Sequence, residues 1–388
     1  MLRDKLIVLL LYQPWQWSTD YQNQTVKTLE KLNNKVIIYY GHKETVLWKK
    51  DGLQSLFIKK NKKLNFFIPI HFLPLRRLTF VKKANQFINL QRFNHYCKNL
   101  FRKYEKKITP SQAIFWFFEP NSLIQNLHLL DIKHKHLIFD CVDYFSIKEL
   151  KFALQKSTSI FCISQTMQEL LSKLIKSKKI INLVPQGFDL NTFKKYKLFI
   201  NTTSSKDKRY KIGFIGGIDN RLKYSLLINL VKSNPQWQFL FYGPQQKLSK
   251  KNKKLLNKLQ AFSNTDWGNV TKKELPRIIH SFDVGIIPYE IRQKKNYYCY
   301  PMKIFEYFYL GKPVVSTPIA ELQHKRFSNF VRIAKDSHQF ENSIKKLLSK
   351  SWSISLKKQQ RQMAIINSWQ KKINTINDQL KLFVKQKK

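Results

Sequence analysis

A repeated alternation between short apolar runs and segments of helical periodicity constrains the fold of this chain more than any other feature. Residues 6–12 and 36–40 are continuous apolar runs, and residues 23–32 between them have helical character. Short runs that are apolar on both faces are typical of strands buried inside a parallel sheet whose faces are covered by helices. The alternation therefore predicts an α/β fold.

The alternation continues through both halves of the chain. Further strands are predicted at residues 113–118, 137–139, 159–163, 180–184, 211–215, 237–242, 284–287 and 313–316. Helices are predicted at residues 147–155, 165–175, 222–232 and 302–310. Ser164 is predicted to be the N-cap of the helix at residues 165–175, because a serine before a helix can accept from its first free amides.

A polar, charged stretch at residues 196–209 separates the two halves and is typical of an interdomain linker. With 388 residues the chain is long enough for two domains. We predict an N-terminal α/β domain at residues 1–195, a second at residues 210–350, and a basic helical segment at residues 351–388. Ligands of such sheets bind at the carboxyl ends of the strands, here in a cleft between two domains.

The charge balance indicates a polyanionic partner. Lysine and arginine number 71 and aspartate and glutamate 24, so the formal net charge is +47. A codon bias towards lysine accounts for many of the lysines but not for the scarcity of acids. Anionic lipid headgroups, nucleic acid and acidic glycans are the candidates.

The sequence disfavours a membrane span, a secretion signal, a disulfide framework and a zinc site. No stretch reaches the roughly 18 uncharged apolar residues of a spanning helix, and no small-residue cleavage site follows the first apolar run. Cys97, Cys141, Cys162 and Cys299 lie far apart without paired spacing. We therefore expect a cytoplasmic protein with buried thiols and no bound metal.

Residues 300–318, YPMKIFEYFYLGKPVVSTP, are the most informative segment. Pro301 is suited to the first turn of a helix whose amides face an anion, and Lys303 adds a positive charge there. Glu306 follows on the same helix face and could accept both hydroxyls of a ribose. The pattern favours a nucleoside-diphosphate site, and the alternative is an amphipathic helix with a surface Lys–Glu pair.

This segment resembles the nucleotide-sugar-binding motif of GT-B glycosyltransferases, in particular the family 4-like proteins related to teichuronic-acid biosynthesis transferases and the xanthan-assembly glucuronosyltransferase. Other segments are similar to the family in the same order: 139–146, 183–193, 215–226, 234–244 and 274–289. The resemblance implies the GT-B fold, with two Rossmann-like domains facing across a cleft and a C-terminal helical segment. It also implies sugar transfer from a nucleoside-diphosphate sugar, with a UDP-sugar expected, to a glycan or lipid-linked acceptor in cell-surface polysaccharide biosynthesis, without a cofactor or chelated metal.

The resemblance assigns roles to the loop after the strand at residues 211–215. Gly216 and Gly217 would let the backbone approach the diphosphate, since glycine has no side chain to block it. Arg221 would be a second phosphate cation, and the alternative is a solvated arginine at the start of a helix.

The resemblance also assigns roles around the motif helix. Met302 and Lys303 would contact the nucleotide and its phosphates, and Glu306 would hold the ribose. Many retaining members carry an acid eight positions before the ribose glutamate, where this chain has Tyr298. That departure favours an inverting mechanism.

An inverting transferase needs a general base on the acceptor side. Asp143 is the first candidate because the sequence FDCVDYF places it directly after a strand. Asp140 and Glu119 are its competitors. For each of the three, the alternative is a helix cap or a buried, hydrogen-bonded acid.

Residues 49–107 hold sixteen lysines and arginines and two acids around an apolar stretch at residues 64–75, LNFFIPIHFLPL. Its prolines disfavour a long helix, so we predict an exposed loop that enters the headgroup region of an anionic membrane. The first domain of GT-B enzymes generally binds the acceptor, which makes a lipid-linked acceptor and a peripheral location on the inner face of the cell membrane consistent hypotheses. The alternative is that FFIPI is core and the lysines are solvated.

Two other functions remain open at this point. The basic charge would also suit a DNA-modifying GT-B glucosyltransferase, since some phage enzymes of this fold glucosylate modified bases. The chain could instead be a non-catalytic protein that binds polyanions or nucleotide sugars. Salt-sensitive DNA retention favours the first, and nucleotide binding without turnover favours the second.

Overall fold

The computed structural model describes residues 2–11, 21–40, 45–46, 65–73, 78–104, 113–120, 124, 127, 130, 134–175, 179–196 and 209–385. The chain forms two compact units. Unit 1 comprises Met1–Pro185 and Lys372–Lys388, and unit 2 comprises Gln186–Lys371. Each unit has a parallel sheet whose strands alternate with helices along the chain, which confirms the predicted α/β class.

Unit 1 contains a seven-stranded parallel sheet in the order β4-β2-β1-β6-β7-β8-β9. Its strands are β1 (Leu6–Leu11), β2 (Lys35–Tyr40), β4 (Asn65–Phe67), β6 (Ala113–Phe117), β7 (His134–Cys141), β8 (Ser159–Cys162) and β9 (Ile181–Leu183). A separate parallel pair joins β3 (Thr45–Val46) to β5 (Ile70–His71). The helices are α1 (Tyr21–Lys31), α2 (Thr79–Tyr104), α3 (Ile147–Lys156) and α4 (Gln165–Leu174). Every residue of β1, β6 and β8 is buried, which explains their continuous apolar sequences.

Unit 2 contains a six-stranded parallel sheet in the order β12-β11-β10-β13-β14-β15. Its strands are β10 (Lys211–Ile215), β11 (Gln238–Tyr242), β12 (Thr265–Gly268), β13 (Val284–Ile287), β14 (Val314–Ser316) and β15 (Val331–Ile333). Its helices are α5 (Leu190–Phe193), α6 (Tyr224–Ser233), α7 (Lys250–Gln260), α8 (Leu275–His280), α9 (Lys294–Tyr297), α10 (Lys303–Tyr309), α11 (Ser337–Leu348) and α12 (Ile354–Ile366), and α13 (Trp369–Lys385) begins there. The strand order reverses between β10 and β13, and such a switch point is where ligands of open α/β sheets bind.

Serine caps and close packing fix several of these elements. The Ser164 hydroxyl accepts from the Met167 amide at 3.1 Å, which confirms the predicted N-cap of α4. The Tyr307 hydroxyl of α10 accepts from the Ile215 amide at 3.0 Å. A Cβ on Gly285 would lie 2.9 Å from the Tyr307 ring, so glycine lets α10 approach β13.

The units differ from the predicted domains at both boundaries. The first boundary follows Pro185 rather than residue 195, since Phe188 is tied to the start of α13. The Phe188 amide donates to the Asn367 carbonyl at 2.6 Å, and the Trp369 amide donates to the Phe188 carbonyl at 3.1 Å. At the other end the basic segment at residues 351–388 is divided, with 372–388 in unit 1. Residues 197–208 of the predicted linker lie outside the described residues.

The apolar stretch at residues 64–75 is described at residues 65–73. Phe67 and Ile70 are buried, and the Phe67 ring packs 5.0 Å from that of Phe93 on α2. The predicted exposed loop is therefore wrong for these two side chains. Phe67 is in β4, which joins the edge of the sheet, and Ile70 is tied to α2 through the Asn89 side chain. The flanking basic runs at residues 59–63 and 76–77 lie outside the described residues.

Candidate functional site

A glycine loop follows the carboxyl end of β10 at the switch point of the unit 2 sheet. Gly216 has a φ of +131°, and a Cβ there would lie 2.7 Å from the Lys303 Nζ. Its amide donates to the Tyr242 carbonyl at 2.9 Å, which ties the loop to the end of β11. A Cβ on Gly217 would lie 3.1 Å from the Asp219 Oδ2. Both glycines are partly exposed, so their backbone can contact a ligand directly.

Lys303, the first residue of α10, is buried beside this loop. Its Nζ donates to the Tyr289 hydroxyl at 2.9 Å and lies 3.8 Å from the centre of the Phe214 ring. No carboxylate of the described residues forms an ion pair with it. Burial, aided by the charge of Arg221, lowers the pKa of Lys303 to about 7. A buried amine without a counter-ion is suited to bind an anion.

Tyr289 contacts both cations of the site. Besides accepting from Lys303, its ring centre lies 5.5 Å from the guanidinium carbon of Arg221. The Tyr289 amide donates to the Thr317 hydroxyl at 3.0 Å, which fixes the backbone at this position. Burial raises the pKa of Tyr289, so its hydroxyl stays neutral. No role was predicted for Tyr289 from the sequence, although a polar residue two positions after β13 is the signal that could have identified it.

Arg221 is held beside the glycine loop by Asp219. The Arg221 Nη2 lies 2.6 Å from the Asp219 Oδ2, and 45% of the arginine side chain is exposed. The Arg221 amide also donates to the Asp219 carboxylate at 2.9 Å. A Cβ on Gly217 would lie 3.4 Å from the Arg221 Nη2. Arg221 is thus a positioned cation at the loop and not a freely solvated side chain.

Glu306 lies one helical turn after Lys303 and is half-buried. Within the described part of the chain its carboxylate makes no hydrogen bond or ion pair. Burial raises the pKa of Glu306 to about 7, and the positive charge of Lys303 opposes that shift. Asp189 and Lys272, which pair with each other, also act on it electrostatically. When Glu306 is ionised, both of its oxygens are therefore available to accept from a ligand.

Met302 and Tyr298 come shortly before α10. Met302 is half-buried and occupies the N-cap position without a side-chain capping bond. Tyr298 is also half-buried, and its ring centre lies 5.1 Å from that of Tyr297. Position 298, where the resemblance predicts an acid for a retaining enzyme, thus carries an aromatic side chain.

Two of the three candidate bases lie at the same edge of the unit 1 sheet. Glu119 follows β6 by two residues, and Asp143 follows β7 by two residues. These strands are neighbours and run parallel, so their carboxyl ends meet at one edge. Both acids are half-buried.

Asp140, the third candidate, is inside β7 and fully buried. The Nζ of Lys372, which is also buried, lies 3.3 Å from the Asp140 Oδ2. Burial raises the pKa of Asp140 and the charge of Lys372 opposes this. The pair favours the alternative of a buried structural acid, because Asp140 has no surface for an acceptor to contact.

Within the described ranges no group of three metal-ligating side chains is found. Nor do the helices described include one long and apolar enough to cross a bilayer.

Comparisons with known proteins find a matching family model and a curated relative. Residues 209–350 match the family model described as "Glycosyl transferases group 1". The chain is 25% identical over 298 residues to the putative teichuronic acid biosynthesis glycosyltransferase TuaH of Bacillus subtilis (strain 168), covering 68% of this chain and 72% of that protein.

Solved structures of the same fold cover almost the whole chain. Sucrose-phosphate synthase from Thermosynechococcus elongatus superposes with a TM-score of 0.69 at 16% identity, covering 98% of this chain and 99% of that one. Anabaena HepE in complex with UDP and glucose superposes with a TM-score of 0.64 at 13% identity, covering 97% and 99%. These likenesses show the GT-B fold, which confirms the predicted architecture.

Proposed function

Because the chain is a glycosyltransferase of the GT-B fold with a group 1 domain at residues 209–350, we propose that unit 2 binds a UDP-sugar as its donor. The proposal rests on the buried amine of Lys303 beside Gly216, which has no carboxylate partner among the described residues. Lys303 and Arg221 would neutralise the diphosphate, which leaves as UDP. Glu306 would accept from the ribose hydroxyls.

We propose an inverting transfer with Asp143 as the general base and Glu119 as the competitor. The acceptor hydroxyl forms a bond to the anomeric carbon while its proton passes to the base. The bond from that carbon to the diphosphate oxygen breaks, and UDP keeps the electron pair. The tyrosine at position 298 supports inversion, since the acid of many retaining members is missing there.

We further propose that the acceptor is a glycan or lipid-linked sugar of a cell-surface polysaccharide, and that the protein works in the cytoplasm on the inner face of the membrane. The relation to TuaH supports the acceptor class, and the net charge of +47 supports an anionic surface. Charge alone also fits nucleic acid, which is the competing partner.

Thermal-shift binding tests the donor site. UDP, GDP, dTDP and CDP are compared on the wild type and on Glu306→Ala at high salt, which suppresses nonspecific phosphate attraction. A ligand at 100 times its Kd stabilises by about 2.7 kcal/mol. We expect UDP alone to stabilise the wild type and this stabilisation to fall by about half in Glu306→Ala, because Lys303 and Arg221 would still hold the diphosphate. Equal stabilisation by all four nucleotides, regardless of Glu306, would contradict the proposal.

A second assay tests whether Asp143 is the general base. UDP release from a panel of UDP-sugars, with lipid-linked and free glycan acceptors, is measured for Asp143→Asn and Glu119→Gln. We expect Asp143→Asn to lose turnover by at least about 100-fold while UDP still binds, because general-base catalysis contributes roughly that much. Loss in Glu119→Gln alone transfers the role to Glu119.

A further inference from the structure

Helix α2 begins with aromatic side chains that point into solvent. Phe80 is 69% exposed and Phe87 54%, and Leu78, just before the helix, is 43% exposed. Positions 80 and 87 are seven residues apart, so they lie on one helix face. Large apolar side chains on the same exposed face indicate an interaction surface.

Buried asparagines on the opposite face fix this orientation. The Asn89 side chain accepts from the Ile70 amide at 2.8 Å and donates to the Ile70 carbonyl at 2.7 Å. One turn earlier, the Asn85 Oδ1 accepts from the Phe72 and Leu73 amides at 2.8 and 3.0 Å. Because these bonds set the rotation of α2, its phenylalanines cannot turn inward without breaking them.

The charge around the phenylalanines has one sign. Lys83 lies between them and is exposed on the same side of α2, and Lys98 and Arg102 are exposed further along that side, since successive residues are about 100° apart around a helix. The helix contains no aspartate or glutamate along its whole length. An apolar face with adjacent lysines matches an anionic bilayer, whose headgroups attract the lysines while the rings enter the acyl boundary.

We propose that the exposed side of α2, formed by Phe80, Lys83, Phe87 and Lys98 with Leu78 just before the helix, is the surface that docks on an anionic lipid bilayer. This inference deepens the proposed membrane association and rests on it. It moves the contact from the stretch at residues 64–75, whose Phe67 and Ile70 are core, to the helix that packs beside it. Duplex nucleic acid is less suited, because phosphate contacts give no reason to expose two phenylalanines.

Vesicle sedimentation tests the surface with the full chain. Wild type, Phe80→Ser/Phe87→Ser and Lys83→Gln/Lys98→Gln are mixed with phosphatidylglycerol–phosphatidylcholine vesicles and with pure phosphatidylcholine vesicles at about 0.15 M salt. Ile180→Ser/Ile366→Ser is the matched control, since each of these isoleucines is 55% exposed elsewhere. The melting temperature and UDP binding of each variant show that it is folded.

We expect the wild type to pellet with the anionic vesicles only. The phenylalanine variant should lose roughly 100-fold in partitioning, and the lysine variant roughly 30-fold. The control should match the wild type. If the wild type pellets with neither vesicle, the proposed membrane association is wrong. Intact UDP binding in the same experiment would still support the proposed donor site.

Three results would contradict the proposed docking surface on α2. Unchanged pelleting of the phenylalanine variant would show that α2 does not insert. Self-association that is lost in this variant would identify a second copy of the chain as the occupant. Release of the wild type from vesicles by single-stranded oligonucleotides, whose retention also needs Phe80 and Phe87, would assign the rings to base stacking.

Discussion

The two units bury charged side chains in opposite ways. In unit 1, Asp140 and Lys372 are both almost fully buried, and each meets an opposite charge at 3.3 Å. In unit 2, Lys303 and Glu306 lie one helical turn apart, and neither forms an ion pair with a described residue. The buried ion pair of Asp140 and Lys372 can affect only the stability of the fold. Lys303 and Glu306, which lie beside a glycine loop, can still bind a ligand.

Breaking the ion pair between Asp140 and Lys372 should have the largest effect on stability. Removing one partner of a buried ion pair leaves an uncompensated charge and costs about 3–5 kcal/mol. We therefore expect Lys372→Met to lower the free energy of unfolding by that amount, measured by urea denaturation. The double variant Asp140→Leu/Lys372→Met should recover most of the loss. A single variant as stable as the wild type would contradict a structural role for the pair.

Substituting Lys303 should affect ligand binding instead of folding. We expect Lys303→Met to abolish the roughly 2.7 kcal/mol of stabilisation that saturating UDP provides in a thermal shift. Without nucleotide, the variant should melt at or above the wild-type temperature, since it removes a buried amine that has no carboxylate partner in the described part of the chain. A melting temperature several degrees lower would instead make Lys303 a structural residue.

The pH dependence of stability sharpens this contrast. Burial holds the pKa of Lys303 at about 7 in the folded chain, below its ordinary value of 10.5. The unfolded chain therefore binds more protons between pH 7 and 10.5, and this residue makes stability rise with pH across that window. The rise should be smaller in Lys303→Met when both proteins are unfolded in urea at several pH values. Identical slopes would show that the amine is not buried as described.

UDP affinity should also depend on pH through the protonation of Lys303. Only the protonated amine attracts a diphosphate, so affinity should fall roughly tenfold between pH 7.5 and 8.5. Lys303→Arg keeps its charge over this range and should flatten the profile. Calorimetric titrations at each pH decide between these outcomes. A wild-type profile as flat as that of Lys303→Arg would exclude Lys303 as the titrating group.

The smallest expected effect comes from Tyr289, which positions Lys303. Tyr289→Phe removes one hydrogen bond worth about 1 kcal/mol and keeps the ring under Arg221. We expect UDP affinity to fall about fivefold and the pH at which affinity declines to shift, because the amine loses its hydroxyl partner. An effect on melting temperature alone, with an unchanged pH profile, would reduce Tyr289 to a packing residue.

Much of the fold could be predicted because both sheets are parallel and covered on both faces. The strands Lys211–Ile215 and Val284–Ile287 were predicted at their observed bounds, and the capping role of Ser164 followed from a local rule. The 26-residue helix α2 was missed because its exposed face carries phenylalanines and its buried face asparagines, which hides the helical period. Its partners Asn85 and Asn89 satisfy backbone groups of a distant segment, which no local pattern reveals.

The candidate site was predictable only where one short segment carries it. Lys303 and Glu306 share one helix, so their spacing indicated a common face. Phe214 and Asp219 belong to β10 and the loop after it, whereas Tyr289 follows β13, and only the sheet order brings these two strand ends together at Lys303. Asp140 was a candidate base because it follows an apolar run, yet its partner Lys372 lies 232 residues away in sequence.

The division of roles between Lys303 and Glu306 can be measured directly. UDP and 2′,3′-dideoxy-UDP are titrated calorimetrically into the wild type, Lys303→Met and Glu306→Gln. We expect Lys303→Met to weaken both ligands equally, because both contain the diphosphate, and Glu306→Gln to weaken UDP about tenfold while leaving the dideoxy ligand unchanged. If Glu306→Gln weakens both ligands alike, or Lys303→Met weakens neither, the nucleotide-diphosphate site is not where this account places it.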